Sequence, residues 1–248
     1  VTRFGVFGAI AVLTAVAACG SNTVSGSSQG EDAGSSTSSV ATLDRGPLGK
    51  LPTRKSPLPP TVSCTYDSDG SPAKPAKKPP ATASTEGTAV VTLALGQGTV
   101  TLDLDRSLAP CTVNSFVSLA QQGYFNSTTC HRLTTDGIYV LQCGDPSGTG
   151  AGGPGYKFAD EYPTDEVKAS SFGYSRGFIA MANAGPATNG SQFFIVYGDS
   201  ELPPAYTIFG RIGDGIKVID GIADGGVKDG GQDGAPANKV EIVTASVA

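Results

Sequence analysis

From Thr88 onward the chain is written as short β-rich runs cut by glycine and proline, and that punctuation admits few folds. Val90-Val91-Thr92-Leu93-Ala94-Leu95 and Thr99-Val100-Thr101-Leu102-Asp103-Leu104 are rich in β-branched residues and flank Gly96-Gln97-Gly98, a hairpin signal. Pro110 then opens a segment with Val113, Phe116, Val117 and Ala120 at helical spacing, and Gly123 stops it. Short strands separated by turn residues continue to about Phe209. A second helix is predicted over 216–222, between glycines, and Lys239-Val240-Glu241-Ile242-Val243 reads as a closing strand. Many short strands with two helices, in roughly 160 residues, describe one mainly β domain: an antiparallel barrel or sandwich with helical caps.

The text before Thr88 is different. Residues 20–87 show no sustained period of 2 or 3.6. Ser35-Ser36-Thr37-Ser38-Ser39 gives way to Pro72-Ala73-Lys74-Pro75-Ala76-Lys77-Lys78-Pro79-Pro80. Such composition buries too little apolar surface to offset the entropy of ordering, so it reads as a disordered tether, stiffer where proline accumulates. Residues 1–19 read as a signal peptide. Arg3 precedes an apolar run from Phe4 to Ala18 that is too short to span a bilayer comfortably. Val16-Ala17-Ala18-Cys19 resembles the bacterial lipoprotein signal, which places a diacylglycerol on Cys19; the other reading is an ordinary secretory signal in which Cys19 is incidental. Two acyl chains suffice for stable attachment. The expected location is therefore extracytoplasmic, lipid-anchored at the cell membrane.

Composition removes other classes. The net charge is −5, with no basic block dense enough to neutralise a phosphate backbone, so nucleic acid is not an expected partner. No His, Cys and carboxylate cluster has metal-ligand spacing. Gly148-Thr149-Gly150-Ala151-Gly152-Gly153 fits the dinucleotide pattern formally, but Pro154-Gly155 follows and no helix period opens, so it reads as a surface loop.

Two segments carry the chemistry. Cys130-His131-Arg132-Leu133 leads to Val140-Leu141-Gln142-Cys143-Gly144-Asp145. Further on comes Met181-Ala182-Asn183-Ala184-Gly185-Pro186-Ala187-Thr188-Asn189-Gly190-Ser191-Gln192-Phe193-Phe194-Ile195. The first resembles the cyclophilin signature, in which Phe-His-Arg leads to Gln-Gly-Gly-Asp. The second resembles the central motif of that family over nearly its full length. Phe158-Ala159-Asp160-Glu161 between them, and Leu202 through Gly210 after them, agree in order.

The resemblance implies an eight-stranded antiparallel β-barrel capped by two α-helices over 88–248. It would act on X-Pro bonds without a cofactor, as a monomer, and its partners would be proline-containing peptides and unfolded exported proteins. It implies Arg132 as the catalytic guanidinium. Gln142, Ala182, Asn183, Gln192, Phe194, Leu202 and Tyr206 would bind substrate, with Phe194 flooring a proline pocket, Leu202 on its wall, and Tyr206 where many relatives have histidine. His131, the only histidine, would be structural. The spacer between Arg132 and Gln142 is longer than in typical cyclophilins, so the second wall is either Tyr139 with Val140 or Ile138 with Tyr139. The chain lacks tryptophan, and Glu201 falls where cyclosporin-sensitive relatives carry one, which implies weak cyclosporin binding. A non-catalytic groove for proline peptides is the alternative function.

With Cys19 lipidated, Cys64, Cys111, Cys130 and Cys143 form an even set for an oxidising compartment, with three possible pairings. A two-residue turn at Asp136-Gly137 would set Cys130 opposite Cys143 and leave Cys64 for Cys111. That register also places Gln142 on the opposite face from Arg132, against the family geometry, unless a bulge absorbs the extra residues.

Overall fold

The computed structural model describes residues 45–248. The signal segment, Cys19 and the first part of the tether lie outside the described residues. One large sheet runs in the order Asp233–Gly234, Arg132–Thr134, Tyr139–Cys143, Phe193–Gly198, Phe178–Met181, Ile208–Asp214, Gly98–Asp105, Thr88–Leu95, Glu241–Val247, Thr128–Thr129, and every pairing is antiparallel. Only Cys130 and His131 separate Thr128–Thr129 from Arg132–Thr134. Their amides donate to Val240 O at 2.9 Å and Gln142 O at 3.1 Å, one to each side of the curled sheet. Segment 128–134 thus joins the two ends; with it counted once, and the two-residue Asp233–Gly234 edge set aside, the barrel has the eight strands expected.

Alternation builds the interior. Val91 and Leu93 on one strand, and Val100, Leu102 and Leu104 on its hairpin partner, are fully buried, while the residues between them are not. Helix α1 (Pro110–Gln121) covers this core through Val113, Phe116, Leu119 and Ala120. The Phe116 ring meets Phe193, Phe209 and Phe125 at centroid distances of 5.1, 5.2 and 4.8 Å. No side chain at its own N-cap serves the helix. Instead Glu161 accepts from the amides of Cys111 (3.1 Å) and Thr112 (2.8 Å) and from the Thr112 hydroxyl (2.7 Å). Helix α2 (Ile216–Asp224) buries Ile219 and Ile222. Its Asp220 takes both Nη groups of buried Arg176 at 2.8 and 2.9 Å.

The expectation of a tether up to residue 87 fails over 45–87. Thr61–Ser63 pairs with Thr82–Ser84, and Asp67–Ser68 pairs with Tyr156–Lys157. A Cys64–Cys111 disulfide ties the segment to α1, and a Cys130–Cys143 disulfide lies beside the barrel seam. Buried Tyr66 donates to Cys111 O at 2.8 Å and meets Tyr156 and Phe158 edge-on. Arg54 donates to Leu108 O and Asp165. Composition decides whether a segment can build its own core. This one builds none; it docks a few anchors onto a surface that already exists.

Candidate functional site

Arg132 lies directly opposite Gln142 in the ladder, and Leu133 opposite Leu141. Directly opposed residues share a face, so the guanidinium and the carboxamide emerge together. The two-residue turn is therefore not used. The hairpin turns about Gly137, whose φ of +69° suits glycine, with Asp136 bridged to Ile138. Gln142 in turn opposes Phe194 on the next strand. Arg132, Gln142 and Phe194 thus form a row across three strands.

A cavity of about 200 Å³ opens over this row, lined by Arg132, Ile138, Val140, Gln142, Ala182, Asn183, Phe194, Leu202 and Tyr206. Phe194 is buried, and the Tyr206 ring stands edge-on to it at 5.7 Å. The Tyr174 hydroxyl donates to Tyr206 O at 2.9 Å and accepts from Tyr206 N at 3.2 Å, fixing that rim from below. Asn183 Nδ2 donates to Ala205 O at 2.7 Å, which joins the motif strand to the Leu202–Tyr206 wall.

Tyr139 is not part of the cavity. It is exposed and packs edge-on to Tyr197 at 6.0 Å, while its amide donates to Ser200 Oγ. With Gln142 facing the cavity, period-2 alternation sends Val140 to the same side and Tyr139 to the other. The second wall is Val140 with Ile138, one residue from each sequence alignment. Gln192 also stands outside this cavity. It accepts from Gln142 Nε2 at 2.9 Å and donates to Gly150 O and Gly152 O at 2.8 and 3.0 Å. There it lines an adjoining groove of about 790 Å³ that shares Gln142, Ala182 and Asn183 and is walled by Asp69, Gly70 and Ser71. Glu201 lines neither; it accepts from Ser171 Oγ at 2.6 Å.

The surroundings of Arg132 hold one residue that sequence reading misses. Asp233 accepts from Arg132 Nε at 2.7 Å and Nη2 at 2.8 Å, and Arg132 Nη1 donates to Gln142 Oε1 at 3.2 Å. The hydrogen bonds to Asp233 raise the guanidinium further above its ordinary value, and those from Arg132 hold the Asp233 carboxyl below the usual range. Nothing local in Gln232-Asp233-Gly234 marks this role. Asp145 closes the first motif, and the structure gives it a role the motif leaves open. Burial opposes its charge, yet donors from Ser147, Gly152 and Gly150 hold its carboxyl low, and they bind the 147–152 loop into the shape that meets Gln192. Gly144 beside it admits no Cβ, which would strike the Ser191 carbonyl at a φ of +93°. Neither ring nitrogen of His131 has a hydrogen-bond partner among the described residues. Burial, reinforced by the Arg132 charge and opposed by Asp145, pulls its pKa below the ordinary 6.5.

Residues 90–247 match the sequence profile of cyclophilin type peptidyl-prolyl cis-trans isomerases. The chain belongs to the cyclophilin family. Among relatives, this cyclophilin is 57% identical over 162 residues to a probable peptidyl-prolyl cis-trans isomerase B of Mycobacterium tuberculosis, covering 62% of this chain and 53% of that one. It is 52% identical over 192 residues to the protein of the same name from Mycobacterium leprae, covering 73% and 65%. The chain thus spans less than two thirds of the length of these relatives. A cyclophilin type isomerase crystal structure from Cryptosporidium parvum superposes with a TM-score of 0.54 at 32% identity, over 65% of this chain and 98% of that one. The same protein solved in the presence of the dipeptide Ala-Pro gives 0.53 at 33% identity, over 64% and 98%.

Proposed function

We propose that this cyclophilin is a peptidyl-prolyl cis/trans isomerase acting on X-Pro bonds of exported proteins outside the cytoplasmic membrane. The observation that carries the reading is a half-exposed guanidinium, Arg132, lining a cavity that is floored by Phe194 and walled by Ile138, Val140 and Leu202.

The chemical task is rotation about a conjugated C–N bond, with a barrier of about 18–20 kcal/mol. As the bond twists, conjugation is lost and the prolyl nitrogen becomes an acceptor. A donor aimed at that nitrogen binds the twisted state more tightly than either planar state, which is the condition for acceleration. Arg132 Nη1 and Nη2 each keep one N–H for it, since Asp233 engages Nε and one edge of Nη2 and Gln142 engages one edge of Nη1. Phe194, Val140, Ile138 and Leu202 supply apolar contact for the proline ring. Gln142 and Asn183 supply polar groups for the peptide backbone on either side of it. No nucleophile or cofactor is needed.

Lipid attachment at Cys19 and a monomeric state belong to the same reading. It is tested by refolding an exported protein limited by slow X-Pro isomerisation. Catalytic amounts of the 45–248 domain are expected to accelerate the slow phase. A folded domain that leaves the rate unchanged while binding proline peptides would replace the enzyme with a binding module. Intact mass of the cell-derived N-terminal peptide decides the anchor: a diacylated Cys19 supports it, and an unmodified cysteine removes it.

A further inference from the structure

We infer that Asp233 is a positioning residue for isomerisation, holding the plane of the Arg132 guanidinium so that its remaining N–H groups face Gln142 and the proline cavity. The inference rests on the isomerase reading above.

Arg132 is a long side chain, 38% exposed, with considerable rotamer freedom to lose on becoming ordered. A two-point grip removes that freedom more completely than a single bond. Asp233 supplies it through Nε and Nη2 at 2.7 and 2.8 Å, and this fork geometry defines the guanidinium plane as well as its position.

The carboxylate is itself placed by backbone. Asp233–Gly234 pairs with the strand that carries Arg132, in the register Asp233↔Thr134 and Gly234↔Leu133. Thr135 N donates to Gln232 O at 2.8 Å, and Lys228 N donates to Ala235 O at 2.8 Å, so both flanks of the acid are pinned. Buried Val227, bridged to Pro236, anchors the base of this arm.

As a stabilising device the pair is poor, because both partners are well exposed and such pairs contribute little to folding. Orientation explains what stability does not. Charge alone would argue the reverse: a carboxylate at this distance weakens the positive field at the cavity. If field strength were what mattered, removing Asp233 would speed the reaction.

The experiment compares wild type, Asp233→Asn, Asp233→Glu, Arg132→Lys and the Asp233→Asn/Arg132→Lys double variant on a short X-Pro peptide. Asp233→Asn is expected to lower kcat by about tenfold or more with KM little changed and the thermal midpoint unmoved. Asp233→Glu is expected to recover part of the loss. In the Arg132→Lys background, Asp233→Asn is expected to change nothing, because an ammonium cannot use the fork. A kcat for Asp233→Asn equal to or above wild type overturns the inference, as does an undiminished loss in the Arg132→Lys background. Relaxation of the Arg132 Nε–H resonance, read without substrate, separates this from the isomerase reading. Asp233→Asn should loosen that group even if the protein proved inactive, and an unchanged order parameter would overturn the positioning role by itself.

Discussion

Gln142 stands directly across the ladder from Arg132, and its side chain accepts from Arg132 Nη1 while donating to Gln192 Oε1. The guanidinium is thereby one member of a line of polar groups that runs from Asp233 through Arg132, Gln142 and Gln192 to the carbonyls of Gly150 and Gly152. Asp145 holds the loop bearing those carbonyls. The arrangement keeps two cavity-facing side chains in fixed rotamers without a covalent or metal constraint.

Gln192 matters in this arrangement although it does not line the proline cavity. Gln192→Ala removes the acceptor that orients the Gln142 amide, a bond whose loss is expected to lower kcat/KM by about fivefold. The check is steady-state kinetics on a short X-Pro peptide beside a thermal melt. An unchanged kcat/KM in a folded variant would contradict the orienting line.

His131 gives a clean titration because the chain has no other histidine. Its folded pKa lies below 6.5, so the native state binds the proton less tightly than the unfolded chain. Stability is therefore full above that ordinary value and falls as the pH drops through the window beneath it. The His131 ring resonances, followed by NMR, should show a midpoint under 6.5. A midpoint at or above it would contradict a buried ring beside the Arg132 charge.

The Cys64–Cys111 bridge spans 47 residues and ties segment 45–87 to α1. Replacing both cysteines by serine releases that loop, a cost of about 4 kcal/mol in the chain-entropy description. Urea unfolding should show the loss as a lower midpoint. Turnover of a short X-Pro peptide should persist, since the proline cavity is built from residues 132–206. An unshifted midpoint would mean that the segment's non-covalent anchors, among them Tyr66, Arg54 and the Asp67–Ser68 pairing, hold it without the bridge.

The barrel was legible where local chemistry and period agree. The hairpin at Gly96-Gln97-Gly98 and helix α1 stand where the turn residues and the i, i+3, i+4, i+7 spacing put them, because both depend on near neighbours. Arg132, Gln142, Ala182, Asn183 and Phe194 from the two motifs, and Leu202 and Tyr206 from the segment after them, line one cavity. Tyr139 was misplaced because facing depends on register, and register here turns on one residue in the hairpin turn. Segment 45–87 was misread because its contacts are to a surface made elsewhere in the chain. Asp233 left no trace, since it meets Arg132 across 101 positions and sits in a Gly-rich stretch without a period.

Arg132 is proposed to drive isomerisation from the edge of this cavity. The most direct measurement is cis/trans isomerisation of a short X-Pro peptide by the 45–248 domain, compared with its Arg132→Ala variant at matched folded concentration. Clear acceleration by the wild type is expected, with most of it lost in the variant. A folded wild type without activity, or an Arg132→Ala variant as fast as the wild type, would contradict that role.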